Sequence, residues 1–268
     1  MSKLKISLIF AFVIIINTAV NANSSINNEI YKSQDHKQEK QADLLNKIKV
    51  SASRYLSYRD ISALLKQYVH GTKALDYGSG TGLSTKFLLE QGYEVTGVEV
   101  SLAMIEKSKK ALPEVNFSLI KDGVIPYSSN IYDLVFSSLV LFEIGNEQEM
   151  VKYLLEAKRV MKKDGIFLVL IGSEAMYYNK NLYSFYNDYP ENKNLKSGSL
   201  AKVKLPDINL TFEDYYWSEE DYKKFFKIAG FNIIKIHHPL GKKGEPYLWQ
   251  DEKSISPFII FILQKQAE

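Results

Sequence analysis

The sequence predicts an α/β fold, a mainly parallel sheet with helices on both faces. Three observations predict it. Short apolar runs alternate with amphipathic segments from Lys73 to Ile171. The runs are apolar almost throughout, as strands covered on both faces must be. A turn carrying Gly78, Gly80 and Gly82 follows the first run directly. Strands alternating with helices are read as right-handed crossovers that build a parallel sheet.

Helical spacing begins near Ala42, runs through Leu44, Leu45, Ile48, Tyr55, Ile61, Leu64, Leu65 and Tyr68, and stops at Gly71, a plausible cap. Ala74-Leu75-Asp76 is the first strand, followed by the glycine turn and a helix over Ser84 to Gln91. Val95 to Val100 is the second strand, with a helix from about Leu102 to Ala111. Val115 to Ile120 is the third and Tyr132 to Phe136 the fourth. A helix across Met150 to Met161 leads to the fifth strand, Ile166 to Ile171. Ser218-Glu219-Glu220-Asp221 then opens a helix with a cap and first-turn acids, and Gly230 closes it. Phe231 to Ile236 and Pro257 to Leu263, strands six and seven, are joined by a long turn without a helix and should pair antiparallel.

Composition removes several functions. The 268 residues include no cysteine, which excludes a disulfide framework, thiolate metal sites and a cysteine nucleophile. A net charge of +3 is too small to mark a nucleic-acid surface by itself. No metal site is expected.

The glycine turn carries the chemistry. Glycines there permit positive φ and let a ligand approach the backbone, and the following helix offers unpaired N–H groups. The dinucleotide spacing G-x-G-x-x-G needs glycine at position 83, where this chain has Leu83. Asp76 precedes the glycines and would repel a pyrophosphate, yet attract an amino group or sulfonium. Glu99 ends the second strand about 20 residues on, where an acid accepts from ribose hydroxyls. A nucleoside with an amino-acid tail fits all three features.

At these residues the sequence resembles the class I S-adenosylmethionine-dependent methyltransferases. Ala74 to Gly82 is similar to their first motif, Val98-Glu99-Val100-Ser101 to their second, Lys121-Asp122-Gly123 to the acidic adenine loop. Tyr132 to Ser137 is similar to the fourth-strand motif and Arg159 to Gly165 to the turn before the fifth strand. The resemblance implies a Rossmann-like sheet of seven strands with an antiparallel last strand, and S-adenosyl-L-methionine as cofactor. It implies that Asp76 and Gly78 contact the methionine part, with Ser79, Gly80 and Gly82 shaping the loop. It gives Glu99 the ribose, Val100 the adenine face, Asp122 with Gly123 the adenine amino group, and Ser137 a place near the transferred methyl. Tyr55 and Arg59 would cap the cofactor carboxylate; for Arg59 a solvated helix charge is the alternative.

Methyl transfer from a sulfonium is an in-line displacement, and a base is needed only when the acceptor must lose a proton. Candidates are Glu143, His237 and His238; related enzymes often have a histidine where this chain has Glu143. Residues 172–217 form a long insertion rich in tyrosine, expected to be a lid. Its rings either line a substrate pocket or make a small core of their own, and Lys202 to Leu205 reads as a strand within it.

Residues 137–140 lack the Pro-Pro-aromatic motif of an exocyclic-amino DNA enzyme, so a small-molecule acceptor is favoured, with a protein acceptor next and no nucleic acid. A non-catalytic cofactor-binding module and an NAD-dependent oxidoreductase are the rival readings.

Lys3 and Lys5 precede the apolar run Ile6 to Ile16 and a small-residue exit at Ala22, the pattern of an export signal over 1–22. An uncleaved N-terminal anchor, the one expected membrane contact, is the alternative. Export would take the protein away from a cytoplasmic methyl donor, unless it acts in a compartment or host cell that supplies one. Residues 23–41 are polar and read as a flexible linker, leaving 42–268 as the folded domain.

Overall fold

The computed structural model describes residues 30–32, 51–121 and 123–266. The expected export signal, the start of the first helical segment and Asp122 lie outside these residues.

Ten strands are described: β1 Ile30–Lys32, β2 Lys73–Tyr77, β3 Glu94–Glu99, β4 Asn116–Leu119, β5 Tyr132–Ser138, β6 Met161–Gly172, β7 Leu200–Leu205, β8 Leu210–Tyr215, β9 Phe231–His237 and β10 Phe258–Lys265. The helices are α1 Ala52–Tyr58, α2 Ile61–Tyr68, α3 Leu83–Glu90, α4 Leu102–Ala111, α5 Glu147–Val160, α6 Glu174–Tyr178 and α7 Glu219–Ile228.

Seven strands form the main sheet in the order β4-β3-β2-β5-β6-β10-β9. β2 pairs parallel with β3 and β5, while β10 pairs antiparallel with β6 and β9. The expected sheet is therefore present, including its reversed strand. The order turns back between β2 and β5, and a ligand crevice opens at such a switch point, beyond the carboxyl ends of the strands.

Each face of the sheet buries its own apolar layer. Leu134, Phe136, Leu168 and Ile260 point to one face, under α1 and α2. Val135, Phe167, Val169 and Phe261 point to the other, under α5 and α7. Strand alternation divides neighbouring residues in this way.

Three local readings differ from the sequence expectation. The helical segment before β2 is broken at Arg59-Asp60, so α1 and α2 are separate. Gly71 does not cap α2, which already ends at the extended Val69. With φ of +106° it instead passes the Asp133 carboxyl so closely that a Cβ would lie 2.4 Å from it. And Ile30–Lys32, inside the stretch read as linker, pair parallel with β8. The open edge of β8 offers unpaired backbone groups that such a strand satisfies.

The insertion holds α6 and the β7–β8 hairpin, with Lys202 to Leu205 in β7 as expected. Its rings mostly build core: Tyr177, Phe185, Tyr216 and Trp217 are all buried.

Candidate active site

A cleft of about 470 Å³ lies at the switch point, walled by the glycine turn, Glu99-Val100, the end of β5, α1 and α5. The glycine turn is shaped as predicted. Gly78, Gly80 and Gly82 have φ of +84°, +51° and +87°, where side chains are strained. Gly78 is also held by contact: a Cβ would meet Val140 at 2.5 Å. Beside Gly80 there is open space within 4 Å, on the side facing the cleft. Gly82 stands at the start of α3 and is the one glycine of the three that does not line the cleft.

Glu99 organises this wall. Its Oε2 accepts from Gly80 N at 3.0 Å, and its Oε1 accepts from Val100 N at 2.7 Å and Ser101 N at 3.0 Å. A carboxylate has about four acceptor positions, so one remains for a ligand hydroxyl. Val100, 57% exposed, presents an apolar face beside it, with Met104, Ile120 and Gly123 completing that end.

Asp76 is placed otherwise than expected. It is fully buried and does not line the cleft. Its Oδ2 accepts from Ser84 Oγ at 2.7 Å and Thr85 Oγ1 at 2.6 Å, which ties β2 to the first turn of α3. Burial is the main cause that pushes its pKa up to about 6. Its Oδ1 and the buried Ser79 Oγ have no partner among the described residues. Two orphaned polar atoms behind the glycine turn fit a wall that meets a polar ligand.

Tyr55 and Arg59 do not reach the cleft. Arg59 is held by Asp60 at 2.8 Å, Glu245 at 2.7 Å and the Leu240 carbonyl at 2.7 Å, so it has little left for a ligand. Tyr55 packs against Tyr247, ring centroids 5.2 Å apart. The residues that do face the cleft from α1 are Arg54 and Tyr58. The guanidinium of Arg54 lies over the Tyr58 ring, 3.3 Å from its centroid, and Tyr58 OH shares a 2.5 Å hydrogen bond with Ser138 Oγ. Arg54 forms no ion pair with a carboxylate among the described residues. Tyr55/Arg59 and Arg54/Tyr58 are both four-residue pairs on one helix, rotated by about 100°. Spacing marks both stripes equally, and tertiary packing selects between them.

At the β5 end, Ser137 is fully buried and bonded to Tyr153 at 2.9 Å, so its neighbour Ser138 lines the cleft instead. Tyr153 stacks on Tyr77 with centroids 3.7 Å apart and donates to the Tyr77 carbonyl at 2.9 Å. Leu139 lines the cleft with φ of +59°, a conformation that costs a bulky residue energy and clusters at functional sites.

Of the expected bases, Glu143 lines the cleft. His237 does not: it bonds Asp60 at 2.8 Å, and His238 bonds Glu219 at 3.0 Å, both away from the cleft. No ring of residues 172–217 lines the cleft either, so the insertion's aromatics serve its packing rather than that pocket. No cluster able to hold a metal occurs among the described residues.

Residues 75–169 match the methyltransferase domain family. Over these residues the chain carries a methyltransferase domain. The match spans the glycine turn, Glu99 and β5, three of the pieces that meet at the cleft. A demethylmenaquinone methyltransferase of Tropheryma whipplei is 26% identical over 153 residues, covering 56% of this chain and 62% of that protein. A sarcosine/dimethylglycine N-methyltransferase of Aphanothece halophytica is 28% identical over 122 residues, covering 42% of this chain and 43% of that protein. The chain thus spans less than two thirds of these curated relatives. A solved S-adenosylmethionine-dependent methyltransferase of Clostridium acetobutylicum shares the fold with a TM-score of 0.59 at 16% identity, over 84% of this chain and 96% of that one.

Proposed function

We propose that this protein transfers the methyl group of S-adenosylmethionine to a small-molecule acceptor. The observation that carries the reading is the cleft itself. A carboxylate already fixed by three backbone N–H groups stands at one end, an arginine without a carboxylate partner among the described residues at the other, and the glycine turn between them.

When bound, the cofactor supplies an activated methyl on a sulfonium leaving group. The chain's part is to bind and orient. Glu99 accepts from a ribose hydroxyl, and Val100, Met104 and Ile120 cover the adenine. Backbone groups of Gly78 to Gly80 meet the amino-acid tail, and Arg54 takes its carboxylate. Arg54 replaces Tyr55 and Arg59 in that role because their side chains are engaged elsewhere. Asp76 acts one layer back, setting the start of α3. Glu143 is the base at the acceptor end.

The small-molecule acceptor is supported by two relatives, a demethylmenaquinone methyltransferase and a sarcosine/dimethylglycine N-methyltransferase. Calorimetric titration with S-adenosylhomocysteine and with NAD tests the reading. Saturable one-to-one heat with the first and none with the second is expected. Heat with NAD alone would return the oxidoreductase reading.

A further inference from the structure

Asp207 ties the insertion to the helix that bears Arg54. It stands in the exposed 3₁₀ turn Pro206–Ile208 that links β7 to β8. Its Oδ2 accepts from the backbone N–H of Ala52 at 2.6 Å, across 155 residues of chain. Ala52 is the first residue of α1, where helix N–H groups have no partner inside the helix. A short charge-assisted bond at this end also meets the positive pole of the helix dipole.

α1 depends on such anchors. It is seven residues long, well below the roughly 12 residues at which an isolated helix becomes even marginal. Its direction is therefore set by what holds its ends. The C-terminal end is held several times over: Tyr58 bonds Ser138 at 2.5 Å, and the following Arg59 and Asp60 bond Glu245 at 2.7 Å and His237 at 2.8 Å. The first turn carries a cap of its own, Ser51 Oγ accepting from Arg54 N at 3.1 Å, and is held from the insertion by Asp207. Ala52 and Leu56 lie in the same apolar layer as Leu205, which directly precedes the Asp207 turn.

Arg54 stands in that first turn and lines the cleft. Its own contacts fix it loosely. The guanidinium reaches the Leu83 carbonyl at 3.4 Å, a long hydrogen bond, and lies on the ring of Tyr58, which belongs to the same helix. Where the guanidinium sits in the cleft thus follows the position of the first turn of α1.

We propose that Asp207 is a positioning residue of the cofactor site: by capping α1 from the insertion, it fixes Arg54 at the cleft. This rests on the reading of Arg54 as the partner of the cofactor carboxylate. It gives the insertion a part in binding through one acid of a surface turn, while its rings serve packing. Since the turn is exposed, replacing Asp207 leaves the packed core untouched.

S-adenosylhomocysteine affinity of the full chain, measured by calorimetry in a double-mutant cycle, tests the proposal. Asp207→Ala should weaken binding by roughly threefold to fivefold, less than the loss of Arg54 itself. Asp207→Asn, whose amide oxygen still accepts from Ala52, should recover most of that loss. In an Arg54→Ala background, Asp207→Ala should cost nothing further, an outcome that general loosening of the fold would not give. Ala52→Pro removes the donor instead of the acceptor. Proline is tolerated at the first helical position, and Ser51 before it is already extended, with φ of −77° and ψ of 150°. It should weaken binding by a similar factor and supplies the reading should Asp207→Ala fail to fold. Unmodified affinity in folded Asp207→Ala, an equal loss in Asp207→Asn, or a loss undiminished in the Arg54→Ala background would overturn the positioning role alone. Absence of binding by the unmodified protein would strike the cofactor reading, and the proposal with it.

Discussion

The glycine turn and the tyrosine-rich insertion are the two regions that sequence alone marks as functional, and they do opposite work. The turn presents backbone to the cleft: positive-φ glycines, a carboxylate that orders three N–H groups, and an open side at Gly80. The insertion spends its large side chains on packing. Phe185 is 5% exposed and packs against Phe258 at 5.6 Å, Tyr177 packs edge-on to Tyr216 at 5.5 Å, and neither lines the cleft. Aromatic content near a site is therefore weaker evidence of ligand contact than a backbone conformation with no other use.

If that contrast holds, substitutions in the two regions separate stability from affinity. The largest effect belongs to the insertion. Phe185→Ala should cost about 3–5 kcal/mol of stability, the usual range for emptying a phenylalanine site. S-adenosylhomocysteine affinity should stay within about twofold, since 1.4 kcal/mol is needed for a tenfold change. Chemical denaturation and calorimetry on one preparation read both quantities. A large affinity loss in a folded variant would return the insertion to the pocket.

The next effect comes from Asp76. Its folded pKa of about 6 lies above the unfolded value of 3.8. The folded state then binds the proton more tightly, so stability from this group is present below pH 4 and is lost as pH rises through 6. The loss is on the order of 3 kcal/mol by linkage. Asp76→Asn, which cannot ionise, should lack it. The stability difference between the two proteins, followed from about pH 4 to 7, should therefore move in favour of the variant as pH rises. A flat difference would mean that Asp76 is not held in a desolvated site.

Within the cleft, Glu99→Ala should weaken S-adenosylhomocysteine binding by about 1.5–3 kcal/mol, the range for a hydrogen bond to a charged group. The loss of order at Gly80 and Val100 acts in the same direction. Binding at the unmodified level would remove Glu99 from the site. The smallest contrast is also the sharpest. Arg54→Ala should reduce affinity by roughly tenfold, about 1.4 kcal/mol, while Arg59→Ala should leave it nearly unchanged because Glu245 and Asp60 already hold that guanidinium. Equal losses in both would dissolve the distinction between the two stripes of α1.

These variants also divide what could be read in the chain from what could not. Local patterns sufficed for the strands along the chain and their parallel crossovers, for the reversed β10 and for the positive-φ glycines, because alternation, crossover handedness and turn chemistry act over a few residues. Glu99 was legible for the same reason, as it ends a strand at a known remove from the turn. Arg54 was not, since one helical rotation separates it from Arg59 and only contacts with Leu83 and Tyr58 turn it to the cleft. Ser138 in place of Ser137 is a shift of one residue, which in a strand exchanges the inner face for the outer. The inward burial of Asp76 and the pairing of Ile30–Lys32 with β8 depend on partners distant in sequence.

A crystal grown with S-adenosylhomocysteine tests the central claim most directly. A ribose hydroxyl should lie within hydrogen-bonding distance of the Glu99 carboxylate, the adenine on Val100 and the ligand carboxylate at Arg54. A ligand seated away from the glycine turn, or a saturated crystal with the cleft still closed to it, would contradict the account.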